Sequence, residues 1–95
     1  MEGSKTIAQM SVRERRDILD AVAETLEVSA REALVEGNRN FAANSQNLAV
    51  IIRGSADELA SANLRAAEIL LQQAMTLIEQ FRLRDPSRPE SVTLH

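Results

Sequence analysis

Ninety-five residues with a net charge of −3 and no cysteine allow one small domain, exclude disulfides and thiolate metal sites, and fit a reducing compartment. The acidic balance, with a pI of about 5.1, gives no general attraction to nucleic-acid backbones. The composition is 44% hydrophobic, yet Phe41 and Phe81 are its only aromatics. Any core must therefore come from Leu, Ile and Ala seams along helices. Arg13, Arg15 and Arg16 cluster, but Glu14, Asp17 and Asp20 dilute them, so no nucleic-acid partner is expected. No stretch approaches the about 18 apolar residues of a transmembrane span. The opening MEGSKTIAQM lacks the apolar core of a secretory signal. The expected location is the cytoplasm.

Residues 1–10 read as a flexible lead-in. Ser11-Val12-Arg13-Glu14 is a capping box and starts the first helix. Val12, Leu19, Leu26 and Ala33 recur every seven residues, joined by Val22 and Ala30, while Arg16, Asp17, Asp20, Glu24, Glu27 and Arg31 form a charged outer face. Near residue 34 the phase slips by one, and Leu34, Phe41 and Leu48 continue at the same interval. That pattern suits a straight 3.6-residue helix at least as well as a supercoiled heptad. Gly37, Asn38, Asn40, Asn44 and Asn47 are poor interior helix formers. The reading is one helix over about 12–53, with a kink or break admissible near Gly37.

Gly54-Ser55-Ala56-Asp57-Glu58 is the strongest punctuation: a glycine suited to a C′ position, then a second capping box from Ser55 to Glu58. A tight helix–helix turn is predicted there, followed by a helix over 56–84 that Pro86 closes. Residues 85–95, polar and proline-bearing, read as a disordered tail.

The second helix carries ILLQQAMTLI, from Ile69 to Ile78, without a charge. Ala60, Leu64, Ala67, Leu71, Ala74, Ile78 and Phe81 form one seam; Leu59, Ala62, Ala66, Ile69 or Leu70, and Leu77 form another. One can pair within the chain. The other is left over, which predicts a homo-oligomer or a surface-bound state. The fold class that follows is all-α: a long antiparallel helical hairpin or three-helix arrangement over 11–84, assembling into an oligomeric bundle.

Chemistry has little to work with. The only histidine is His95, the last residue, and no metal, cofactor or phosphate-loop motif is present. Neither an enzyme nor a cofactor is expected. Asn38, Ser45, Asn63 and Gln73 fall near apolar stripes, either setting register through buried hydrogen bonds or lying at the edge of a loose bundle. Phe41 and Phe81 either insert into a partner or fill the ends of a helical core. The residues best placed to meet an apolar surface or a partner helix are Phe41, Leu48, Ile52, Leu64, Leu71, Ile78 and Phe81.

The segment LVEGNRNFAANSQNLAVIIRGSADELASANLRAAEILLQQAMTLIEQF, Leu34 to Phe81, covers roughly half the chain and resembles a phasin domain. The likeness lies in the Asn-rich run with Phe41, the helix leading to Gly54, Glu58-Leu59-Ala60, and the Ala/Leu/Gln-rich helix through Gln72-Gln73-Ala74-Met75. The chain departs from the family in being shorter, with a proline-containing tail after Phe81 in place of further helix. The resemblance implies a non-enzymatic helical protein that coats bacterial polyhydroxyalkanoate granules through a distributed apolar face. A helical adaptor that pairs with one specific protein through a bundle interface is the competing reading.

Overall fold

Residues 6–84 are described in the computed structural model, and four helices account for most of them. A short 3-10 turn (Ile7–Gln9) precedes α1 (Val12–Val35), α2 (Arg39–Gly54), α3 (Ala56–Ser61) and α4 (Leu64–Arg82). The all-α class is as read; the breaks are more numerous than the sequence suggested. The most extensive packing is between α1 and α2, so the two parts of the expected long helix pack on each other. The molecule measures 45 × 32 × 20 Å. Among the described residues, no helix is long and apolar enough to cross a membrane.

The α1 start follows its sequence signal. Ser11 Oγ accepts from the Glu14 backbone at 3.1 Å, and Glu14 Oε1 accepts from the Ser11 N–H at 2.9 Å. Upstream, residues 6–10 are ordered rather than loose: Gln9 caps the Thr6 N–H at 2.9 Å. Arg15 then ties the turn down, donating to the carbonyls of Ile7 (2.9 Å), Ala8 (3.3 Å) and Ala60 (2.9 Å). Arg16 pairs with Asp20 and Asp57. Two of the three clustered arginines are thus structural. Residues 1–5 and the proposed tail over 85–95 lie outside the described residues.

The decisive interruption falls at Gly37, not Gly54. Gly37 has φ 86, a left-handed conformation natural to glycine. The Asn38 N–H reaches Ala33 O at 2.8 Å and the Gly37 N–H reaches Leu34 O at 3.1 Å, the paired closure of a Schellman motif. Asn38 Oδ1 then accepts from the Phe41 N–H at 3.2 Å and opens α2. At Ser55 the backbone bonds run on instead: Ser55 N–H to Ile51 O at 3.1 Å, and Leu59 N–H to Ser55 O at 2.8 Å. Ser55 makes no side-chain cap bond, so the expected capping box and tight turn are replaced by a bend. A further break follows α3, where Asn63 Oδ1 caps α4 by accepting from the Ala66 N–H at 3.2 Å.

The core is built from small residues. Leu19, Ala23 and Leu26 of α1 meet Leu48, Ala49 and Ile52 of α2, with Leu59, Ala60, Ala67 and Ala74 from the later helices. Ser45 is fully buried between them, and its Oγ has no hydrogen-bond partner. Of the four polar residues near apolar stripes, Asn38 and Asn63 are caps, Ser45 is core, and Gln73 is exposed.

Two glycines should respond with opposite signs. Gly37→Ala forces a Cβ into a left-handed backbone and should cost about 1–2 kcal/mol. At Gly54 the chain is helical with nothing near an added Cβ, so Gly54→Ala should stabilise by about 0.5–1 kcal/mol. Ser45→Ala removes an unsatisfied buried hydroxyl at almost constant volume and should stabilise by about 1 kcal/mol. Urea unfolding followed by helical circular dichroism measures all three.

Candidate functional site

The seam on α4 docks through its smallest residues. Ala67, Ala74 and Phe81, seven apart, are buried, while Leu70, Leu71, Leu77 and Ile78 flank them half-buried against the main core. Alanine centres let the helix axes approach, but the longer side chains then lie at the margins of the contact. Ile69 (45%) and Met75 (56%) are exposed. α4 therefore carries apolar side chains around more of its circumference than α1 and α2 cover. It packs on that pair less extensively than they pack on each other.

The far end of α4 is held by an aromatic and ionic clamp. Phe41 of α2 and Phe81 of α4 stack with centroids 4.9 Å apart and planes 15° apart. Phe81 completes a small second core with Ala33 and Ala42, on which Phe41 also packs. The Arg84 guanidinium lies 3.6 Å from the Phe81 ring centre, a cation–π contact. The same group donates from Nε to Glu36 Oε1 at 2.8 Å and from Nη2 to Oε2 at 2.5 Å. Beside the clamp, Asn38, Asn44, Leu77 and Gln80 help line an open depression of about 310 Å³.

The residues expected to meet a surface are thus divided. Ile52, Leu48 and Phe81 are buried, Ile52 completely. Phe41, Leu71 and Ile78 are half-buried; Leu71 and Ile78 pack on the main core, Phe41 on the smaller one. Leu64, the first residue of α4, is half-buried and joins neither cluster. The fold brings Phe41 and Phe81 together directly and leaves Leu64 apart. Sequence reading did not anticipate the Glu36–Arg84 pair, whose members are far apart in the chain. Nor did it anticipate Arg53 on Glu27, at 2.7 and 3.0 Å. Neither pair has a periodic signal; each joins positions that only the α1–α2 and α1–α4 packing brings together.

Among the described residues, no group of three or more His, Asp or Glu side chains is placed to hold a metal ion. His95 lies outside them. No family model, curated protein or solved structure matches this chain.

The hydrogen bonds from Arg84 hold the Glu36 carboxyl below its ordinary pKa, and those from Arg53 do the same for Glu27, with a smaller contribution from Arg31. A carboxylate whose pKa is lower folded than unfolded stabilises the fold fully above the unfolded value, about 4.3 for Glu. It loses that contribution as pH falls through the lowered value. Stability should therefore fall below about pH 4.5, and the double variant Glu27→Gln/Glu36→Gln should show a shallower decline. Urea midpoints between about pH 6 and 3 provide the measurement; parallel curves for the two proteins would show that these pairs do not set the acid response.

Proposed function

We propose that this chain is a non-enzymatic cytoplasmic coat protein that adsorbs to an apolar polymer surface, in the manner of a phasin on polyhydroxyalkanoate granules. The observation that supports this reading most is the incomplete cover of α4. Its Leu and Ile flanks are half-buried, and Ile69 and Met75 stand exposed. Adsorption begins on that exposed face and deepens as α4 exchanges its contacts with α1 and α2 for contacts with polymer of similar apolar character. Leu71, Ile78, Phe81 and Phe41, now turned inward or half-covered, then join the surface, while Leu48 and Ile52 stay in the α1–α2 core. Burial of apolar area contributes about 25 cal/mol per Å², so a few helical turns bind without a pocket. The charged outer face of α1, with Asp17 and Glu24, remains toward water. The resemblance over Leu34 to Phe81 points the same way.

Adsorption of this kind should depend only weakly on salt, because screening acts on charges and not on apolar burial. Purified protein incubated with isolated granules should co-pellet at both low and high ionic strength. Ile69→Glu/Met75→Glu alters only exposed positions and should sharply reduce co-pelleting, while Glu24→Gln should not. No co-pelleting at either salt would overturn the coat reading, and selective capture of one lysate protein alongside that result would favour the adaptor.

A further inference from the structure

A second surface lies along the outer seam between α1 and α2. On α2, Arg39, Ala43, Gln46, Val50 and Arg53 recur at three- and four-residue steps and share one stripe. Helical periodicity sets that stripe about half a turn from Phe41, whose ring meets α4. On α1, Glu27, Arg31 and Leu34 recur in the same way, and the Arg53–Glu27 hydrogen bonds join the two stripes across the seam.

Toward the Gly37 turn the seam opens into a groove of about 290 Å³ that no α4 residue lines. Ala30 and Ala42 are its buried floor, and Arg31, Leu34, Arg39 and Ala43 are its exposed edges. Leu34 is 61% exposed, and Val50, further along the α2 stripe, is 58% exposed. Arg31 and Arg39 make no hydrogen bond or salt bridge among the described residues; Arg31 acts only at longer range on Glu27, whose carboxylate Arg53 holds. On a chain of net charge −3, an apolar groove edged by two guanidinium groups and lined by no carboxylate is locally inverted in sign.

We infer that this groove is a docking site for an acidic amphipathic helix of a partner protein. A helix laid between α1 and α2 sets small apolar residues over the alanine floor and larger ones against Leu34 and Val50. Carboxylates flanking its apolar stripe reach Arg31 and Arg39, and the fork geometry of arginine suits bidentate pairing. The α4 face of a second copy of this chain fits less well. The outward face of its α4, with Ile69 and Met75, sets Arg65 beside Glu68 and brings no net charge to the arginines. The inference is independent of polymer adsorption, which uses α4 and the Phe41 ring stacked on it.

The test uses the full chain and a designed helical peptide of about 18 residues, with Leu at three- and four-residue steps flanked by Glu. A second peptide with Lys in place of every Glu is the control. The Glu peptide should bind and the Lys peptide should not, with affinity falling as salt rises. Arg31→Glu/Arg39→Glu should weaken binding by about tenfold or more, and Leu34→Asp should also weaken it. All three positions are exposed, and circular dichroism checks that the variants keep their helix content. Equal binding of both peptides, no binding at millimolar concentration, or indifference to charge reversal would each overturn the inference. Sedimentation showing that the arginine reversal dissolves a self-associated form would also overturn it, by assigning the groove to a second copy.

Discussion

Close approach between α1 and α2 is the constraint on which the other parts of this fold depend. With two aromatic residues in the chain, large rings cannot fill space between helices, so the helices themselves must come together. Ala23, Ala30 and Ala33 on one side and Ala42, Ser45 and Ala49 on the other are all buried and all small. That narrow interface needs a sharp reversal at residues 36–38, which Gly37 supplies through its left-handed backbone. It also tolerates a serine hydroxyl without a partner. The unpaired Ser45 Oγ costs on the order of 1–3 kcal/mol, yet a larger apolar side chain there would push the helix axes apart.

The same economy of size shapes the third layer. α4 docks over Ala67 and Ala74, so its longer side chains fall at the margins and remain partly in water. Burial alone gives this layer less hold than the α1–α2 pair has. The compensation is concentrated at its end, where Phe81 stacks on Phe41 and Arg84 bridges the Phe81 ring and Glu36. A layer held at its end by a partly exposed ion pair and one stacked pair is the natural place for local opening, since few buried apolar contacts mean low local stability.

Much of this was legible in the sequence, and what was not has identifiable causes. The helical class, the Ser11 cap, the α1 heptad and the apolar excess of the second half follow from spacing alone. The position of the main reversal does not. Gly37 and Gly54 look equivalent in sequence, and Gly54 had the better flanking pattern, yet the Ser55 backbone continues its hydrogen bonding and needs no cap. Asn38 and Asn63 showed only as polar residues near apolar stripes, because capping is a property of a helix start whose place was unknown. The surface assignment blurred for a related reason. Periodicity shows which residues share a face but not which of two faces the chain covers for itself, and Leu48, Ile52 and Phe81 proved to be covered.

The two exposed surfaces are chemically unlike, and that difference bears on how the molecule can act. The α4 margin offers Ile69 and Met75 beside balanced charges, a face that suits matter without polarity and is indifferent to salt. The α1–α2 seam offers Leu34 beside Arg31 and Arg39, at a groove lined by no carboxylate, with Val50 further along, a face that discriminates by sign. On α2 the ring that meets α4 and the stripe that borders the seam lie about half a turn apart. Because the α1–α2 pair is the tightest contact in the molecule, it can keep the seam intact while α4 loosens. Occupation of one face therefore need not exclude occupation of the other. The proposed adsorption through one layer is therefore compatible with the proposed docking of a partner helix on the layer that stays folded.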